Sequence, residues 1–229
     1  MLAYLSEKAD KRIIDSLNEQ GYNTILLKPF SALSNPVCTH ADMLLLSVGN
    51  TLFVHRDYDI SLKGFTNVIK IDEPISNKYP NDILLNIAIV GKNVFVNTKY
   101  ASKTILKYLE QNGYSIHHVS QGYTHCSTCV VNDNAIITAD KGIALTAQNI
   151  GIDVLLIGEG HISLSPYDYG FIGGSCGSHK DGIYFCGSLN HHPDGEHIRD
   201  FCKAHGKKIV ELLDAPLVDI GGILFVQTK

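Results

Sequence analysis

Cysteine, histidine and aspartate recur in this chain at regular intervals, each time just ahead of an apolar run. The groups are Cys38, His40 and Asp42; Asp82; Thr124, His125, Cys126 and Cys129; Gly173, Gly174, Cys176 and His179; and Asp219. Polar clusters at the heads of otherwise apolar strands are what a binding pocket needs, provided the fold brings the heads together. No stretch reads as a secretion signal, so the six cysteines are expected to be thiols and not a disulfide frame. Cys38, His40, His125, Cys126, Cys129 and Cys176 also form a set of soft ligands that could hold zinc or an iron–sulfur group. Two features oppose that metal. Cys126 and Cys129 are an odd number of positions apart on an expected strand, which sends their side chains to opposite faces. Their Cys-x-x-Cys motif also has no second pair, and it does not open a helix as a redox dithiol would. Cys186 and Cys202 read as small buried hydrophobes.

The elements that position these residues follow one plan. Residues 38–55 run from a polar head through an apolar segment to Gly49-Asn50 and a second apolar segment. Gly-Asn between two β-prone runs predicts a hairpin with φ > 0 at both central positions. The plan returns at 82–97, at 125–138 and at 170–185, and a last head at 219–222 leads into 223–226. The turn residues Asn50, Asn93, Asn134 and Gly182 are 43, 41 and 48 positions apart. After each hairpin comes a helical stretch, a glycine stop and a strand: 101–111, Gly113 and 114–119; 141–150, Gly151 and 154–157; 194–204, Gly206 and 208–213. Residues 2–5, 8–20, Gly21 and 23–27 repeat it at the start of the chain. The copy between Phe53 and Ile71 has a short or missing helix but keeps its last strand at 67–71. There are then five strand–strand–helix–strand units. The first is split, its opening strand (217–220) coming from the C-terminus, which points to a closed ring without exposed sheet edges.

Five such units closed by the termini resemble the pentein fold, a five-bladed pseudosymmetric α/β propeller of guanidine-group-modifying enzymes. The superfamily includes arginine deiminases, agmatine deiminases, dimethylarginine hydrolases and amidinotransferases. The whole chain also looks like a bacterial family assigned to that fold, and 1–229 is expected to be a single domain of this kind. The resemblance implies a cysteine that attacks a guanidinium carbon, a histidine that moves protons and carboxylates that hold the planar cation. His40-Ala41-Asp42 matches the His-x-Asp motif of the deiminases, with His40 as acid/base and Asp42 gripping the guanidinium. The pattern is incomplete, because neither the unit after His40, which begins at Asp82, nor the last one, 219–229, contains a cysteine. The other assignment takes His125 as acid/base and Cys176, at the end of Gly173-Gly174-Ser175-Cys176, as nucleophile in the following unit. Asp42 and Asp82 are then the cation clamp, with Thr124, Gly173 and Gly174 beside the substrate. This second assignment is preferred because it restores the family's order of histidine, then cysteine, in adjacent units.

Each residue also has a plainer reading. His40 can be an interior histidine bonded to Asp42 or to backbone. Gly173 and Gly174 can mark a bend where backbones meet, and Asp82 and Asp219 can cap turns. His191, His192 and Asp194 read as a loop and helix cap. Net charge is −4 with 19 Lys+Arg scattered along the chain, so no basic field for nucleic acid exists. The first five residues are too short a run for a signal peptide, and no segment approaches membrane-span length, so a soluble cytoplasmic protein is expected. No phosphate-binding glycine loop is present and no organic cofactor is expected. The function expected is a cysteine-dependent hydrolase or amidinotransferase for a guanidino or amidine small molecule. The alternatives are a non-catalytic ring that binds a small ligand or protein partner, as a ribosome-associated member of the superfamily does, and a Cys/His metal protein. Oligomeric state is not readable.

Overall fold

A computed structural model describes residues 1–60, 62–180 and 182–227. In chain order the elements are β1 (Leu2–Ser6), α1 (Lys11–Glu19), β2 (Asn23–Leu27), α2 (Ala41–Leu44), β3 (Leu45–Val48), β4 (Thr51–His55) and β5 (Asn67–Ile71). Then come β6 (Ala88–Val90), β7 (Asn93–Val96), α3 (Lys103–Gln111), β8 (Ser115–His118), β9 (Thr128–Asn132), β10 (Ala135–Thr138), α4 (Lys141–Asn149) and β11 (Asp153–Leu156). The last are β12 (Cys176–His179), β13 (Gly182–Phe185), α5 (Gly195–Ala204), β14 (Lys208–Glu211) and β15 (Leu224–Val226).

These strands form five separate three-stranded sheets, β15-β1-β2, β3-β4-β5, β6-β7-β8, β9-β10-β11 and β12-β13-β14. In every sheet the first strand is antiparallel to the second and the third is parallel to it. Parallel strands need a crossover, and in four sheets the crossover is a helix that lies back on its sheet. Its contact face is an i, i+4 pair or its equivalent: Ile13 and Leu17, Ile105 and Leu109, Ile143 and Ala147, Ile198 and Cys202, all buried. Side chains of Asp10, Ser102 and Asp140 cap three of these helices. Each of the four ends at a glycine with positive φ, Gly21, Gly113, Gly151 or Gly206. The fifth crossover, between β4 and β5, has no helix among its described residues. First strands of neighbouring sheets pack side by side, β6 on β9, β9 on β12 and β12 on β15. Cys186 and Cys202 are fully buried, as expected of cysteines that act as small hydrophobes.

Several expectations need correction. The strand that completes the first sheet is β15, not 217–220. Residues 217–220 bond instead to the 162–174 segment and to Cys186: Ser163 N donates to Leu217 O (3.0 Å), Val218 N to Cys186 O (3.1 Å), Asp219 N to Ser163 O (2.9 Å) and Ile220 N to Gly174 O (2.9 Å). Gly221 and Gly222, at φ +78° and +73°, then turn the chain into β15. The apolar run after Asp82 is not a strand until Ala88, because Asn86 N bonds back to Ile83 O (3.1 Å) and closes a turn. A continuous buried run carries no periodicity by which to locate that turn. Likewise β9 starts only at Thr128 and Gly173–Ser175 is a 3₁₀ turn ahead of β12. The β3–β4 hairpin has its two-residue loop at Gly49-Asn50, with Val48 opposite Thr51, but only Gly49 takes positive φ (+58°). In the β12–β13 hairpin, Asp181 lies outside the described residues.

Candidate functional site

Four segments converge where the first strands begin. The one-turn helix α2 presents Asp42, and its Asp42 N donates to Gly221 O (3.0 Å), which ties it to the C-terminal segment. The turn before β9 presents His125, the 3₁₀ turn before β12 leads to Cys176, and residues 221–225 close the circle. Together they wall a cavity of about 260 Å³ whose lining includes Asp42, His125, Thr128, Gly173 and Cys176. The preferred thiol, imidazole and carboxylate therefore share one cavity. No Lys or Arg lines it among the described residues.

The polar atoms in these walls are unusual in having no partners. Both carboxylate oxygens of Asp42, Nδ1 of His125 and Oγ1 of Thr128 are enclosed without a hydrogen bond. Buried polar atoms are nearly always bonded, so each such atom calls for a reason. Asp42 is 2% exposed, and burial followed by the nearby charge of Asp219 raises its proton affinity well above that of an ordinary carboxylate. Asp219 is raised too by burial, but backbone N–H groups of Phe171 and Gly221, both at 2.9 Å, hold it back. Burial lowers His125 to about 4, which keeps the imidazole neutral and able to accept a proton. Cys176 is buried, with Sγ directed at Gly173 O (3.8 Å). Its thiol contacts Cys129, whose proton is held more firmly first by that contact and then by burial. Chemically, the walls offer a thiol, a neutral base and an unpaired carboxylate suited to a planar cation.

Of the remaining candidate residues only Gly173 lines this cavity. His40 is 4% exposed, and its nearest carboxylate is Asp219 (Nδ1 to Oδ1, 3.7 Å), not Asp42. Burial, then the charge of Lys8, lowers His40 to about 4. Asp82 is absent from the cavity walls and accepts a hydrogen bond from Tyr123 Oη (2.7 Å). Thr124 joins two segments: its hydroxyl donates to Asn86 O (2.9 Å) and accepts from Ala88 N (3.2 Å). Gly173 and Gly174 are close-approach points. A Cβ on the first would lie 2.3 Å from His125 O, and on the second 2.1 Å from Asp219 Oδ1. Asp219 does cap a turn through Gly221 N, as the plainer reading held. Asp194 stands at the start of α5 but uses its carboxylate on Gly158 N (2.8 Å).

Among the described residues no three His, Cys, Asp or Glu side chains come together as a metal-holding group. The proposed soft ligands are dispersed: Cys126 packs in the same apolar cluster as Cys38, whereas Cys129 packs with Cys176 and Cys202. Cys38 donates to Asn35 O (3.2 Å) and receives Lys8 Nζ (3.5 Å). Burial and the charges of Asp42 and Asp219 push the Cys126 thiol far up, against thiolate formation.

Asn86 was missed. Its carboxamide donates to Asp42 O (3.2 Å) and Cys126 Sγ (2.9 Å) and accepts from His125 N (2.8 Å), so it ties the Asp42 segment to the His125 segment. The only signal was a lone polar residue inside the 83–90 apolar run.

The fold is similar to that of several solved enzymes. An amidinotransferase of the saxitoxin biosynthetic pathway from Microseira wollei matches with a TM-score of 0.57 at 12% identity, over 100% of this chain and 94% of that one. Dimethylarginine dimethylaminohydrolase from Pseudomonas aeruginosa, complexed with citrulline, matches with a TM-score of 0.55 at 12% identity, over 92% and 91%. The agmatine deiminase of C. jejuni gives 0.55 at 12% identity, over 92% and 87%. No curated protein sequence matches. Residues 4–224 match the model of a family of unknown function (DUF6873), and the chain belongs to that family.

Proposed function

We propose that the five sheets are the blades of a ring closed by the two chain ends, a single pentein-like propeller. Its central cavity is a covalent catalytic site for a small guanidino or amidine compound. One observation carries this reading: Asp42, His125 and Thr128 bury polar atoms without partners, and all three face the cavity that Cys176 lines. A planar cation there would pair with Asp42, remove the cost of its isolation and draw it into the ionised form.

In the reaction, His125 takes the Cys176 proton and the sulfur attacks the central carbon of the substrate. The bond from that carbon to the leaving amine breaks as His125 returns the proton to the amine. An S-amidino adduct remains on Cys176, its positive charge facing Asp42. Water then gives a proton to His125 and its oxygen bonds to the carbon. The carbon–sulfur bond breaks, the thiol regains a proton, and a ureido or amide product leaves. An amine in place of water gives amidino transfer by the same steps.

The test is a panel of guanidino and amidine compounds, read by ureido product and released amine. Turnover that Cys176→Ser abolishes while binding persists supports the reading. The second reading, a ring that binds without catalysis, is favoured by the apolar contribution of the last blade, Ile223, Leu224 and Phe225. Binding with no turnover and no adduct selects it.

A further inference from the structure

A second cavity, of about 280 Å³, opens at the heads of the same strands, lined by His40, Cys126 and Asp219 at its floor. Its upper walls are aromatic. Tyr123, Tyr167, Tyr169 and Phe171 line it, with Phe171 centroids 6.2 Å from Tyr123 and 6.3 Å from Tyr169. The ring series continues outward to Tyr79, 5.6 Å from Tyr123. Asp168 stands on the rim, and no Lys or Arg lines the cavity among the described residues. Lys8, in the adjoining cleft, is held by Asn35 Oδ1 (3.0 Å).

The tyrosines are arranged to enrich their rings in electrons. Tyr123 Oη donates to Asp82 Oδ2 (2.7 Å) and Tyr169 Oη to Glu159 Oε2 (3.4 Å). A phenol that donates to a carboxylate presents a more negative π-face, which strengthens attraction for a cation. The wall is also anchored: Phe171 N bonds Asp219 Oδ2, Gly170 N bonds Ile162 O (2.7 Å), and Tyr167 Oη approaches Ser34 Oγ (3.5 Å).

We propose that this second cavity is a binding site for an aliphatic organic cation, of the quaternary or alkylated ammonium type, recognised by the tyrosine faces and by Asp168 and Asp219. The cation here is not the reacting group, and the site does not depend on Cys176 being a nucleophile.

The experiment is calorimetric titration of the full chain with choline and with its neutral isostere 3,3-dimethylbutan-1-ol. Choline should bind at least about tenfold more tightly than the isostere, because only the charge differs. Tyr167→Leu and Asp168→Asn, both at exposed positions and compatible with folding, should each weaken choline by about fivefold or more. Cys176→Ser should leave it unchanged. Equal binding of the two compounds, no binding of either, or indifference to both variants would overturn the site. Choline binding that Asp42→Asn removes and Tyr167→Leu spares would also overturn it, by moving the cation to the first cavity.

Discussion

Replacing Asp42 by Asn should stabilise the ligand-free protein at alkaline pH while removing cation binding. Asp42 is 2% exposed, neither oxygen has a hydrogen bond, and the charge of Asp219 lies close by. A carboxyl whose proton affinity is raised by folding contributes stability that is complete at low pH and is lost as pH rises through its native titration. Near pH 3, below the ordinary carboxyl value of 3.8, Asp42 carries its proton in the folded and unfolded chain alike, so wild type and variant should agree within about 0.5 kcal/mol. Near pH 9 the wild type holds an unpaired buried charge and the variant does not, a difference of about 1–3 kcal/mol. For a chain of this length each kcal/mol is roughly 2–4 °C, so the variant's melting temperature should exceed the wild type's by about 2–12 °C. Thermal unfolding followed by circular dichroism across this range is the assay. A variant less stable than wild type near pH 9 would mean that the charge is already paired within the protein, contrary to the isolation of Asp42 described above.

The histidines work in the opposite direction. His40 and His125 are held to about 4 against 6.5, so the stability they confer is present above about 6.5 and lost as pH falls through about 4. Urea titrations should show a fall in stability on acidification through that window, reduced in His125→Asn; stability that is flat from pH 7 to pH 4 would contradict it. Gly221→Ala must place a methyl 2.2 Å from His40 Cβ at φ +78°, and should cost about 2–5 kcal/mol in urea unfolding. A cost below about 0.5 kcal/mol would show that this approach is not as tight as the structure has it.

The repeat was legible because its markers are local. Gly49, Gly91 and the four helix-stopping glycines sit at conformations that favour glycine, and capping residues stand where the helices begin. The convergence of Asp42, His125 and Cys176 was also inferable, since each stands at the head of an equivalent strand. What could not be read is how the chain ends meet the heads. The repeat plan places the closing strand at 217–220, yet the partners of these residues lie in the 162–174 segment and at Cys186, and the glycines after them delay the strand to Leu224. Asp219 thereby comes against Asp42 and His40, a proximity without local signature. Asn86 was hidden for a similar reason: its five bonds reach residues about forty positions away on each side, and nothing near it in sequence predicts them.

The central claim is that Cys176 is a nucleophile facing a site for a planar cation, and competing alkylation tests it most directly. The native protein is treated with chloroacetamidine, a planar cation, or with its neutral counterpart chloroacetamide, and the six cysteines are resolved by peptide mass spectrometry. Alkylation should be confined to Cys176 and at least about tenfold faster with the cation, with the preference lost in Asp42→Asn. Equal rates for the two reagents, modification led by another cysteine, or no modification of Cys176 by either would contradict it.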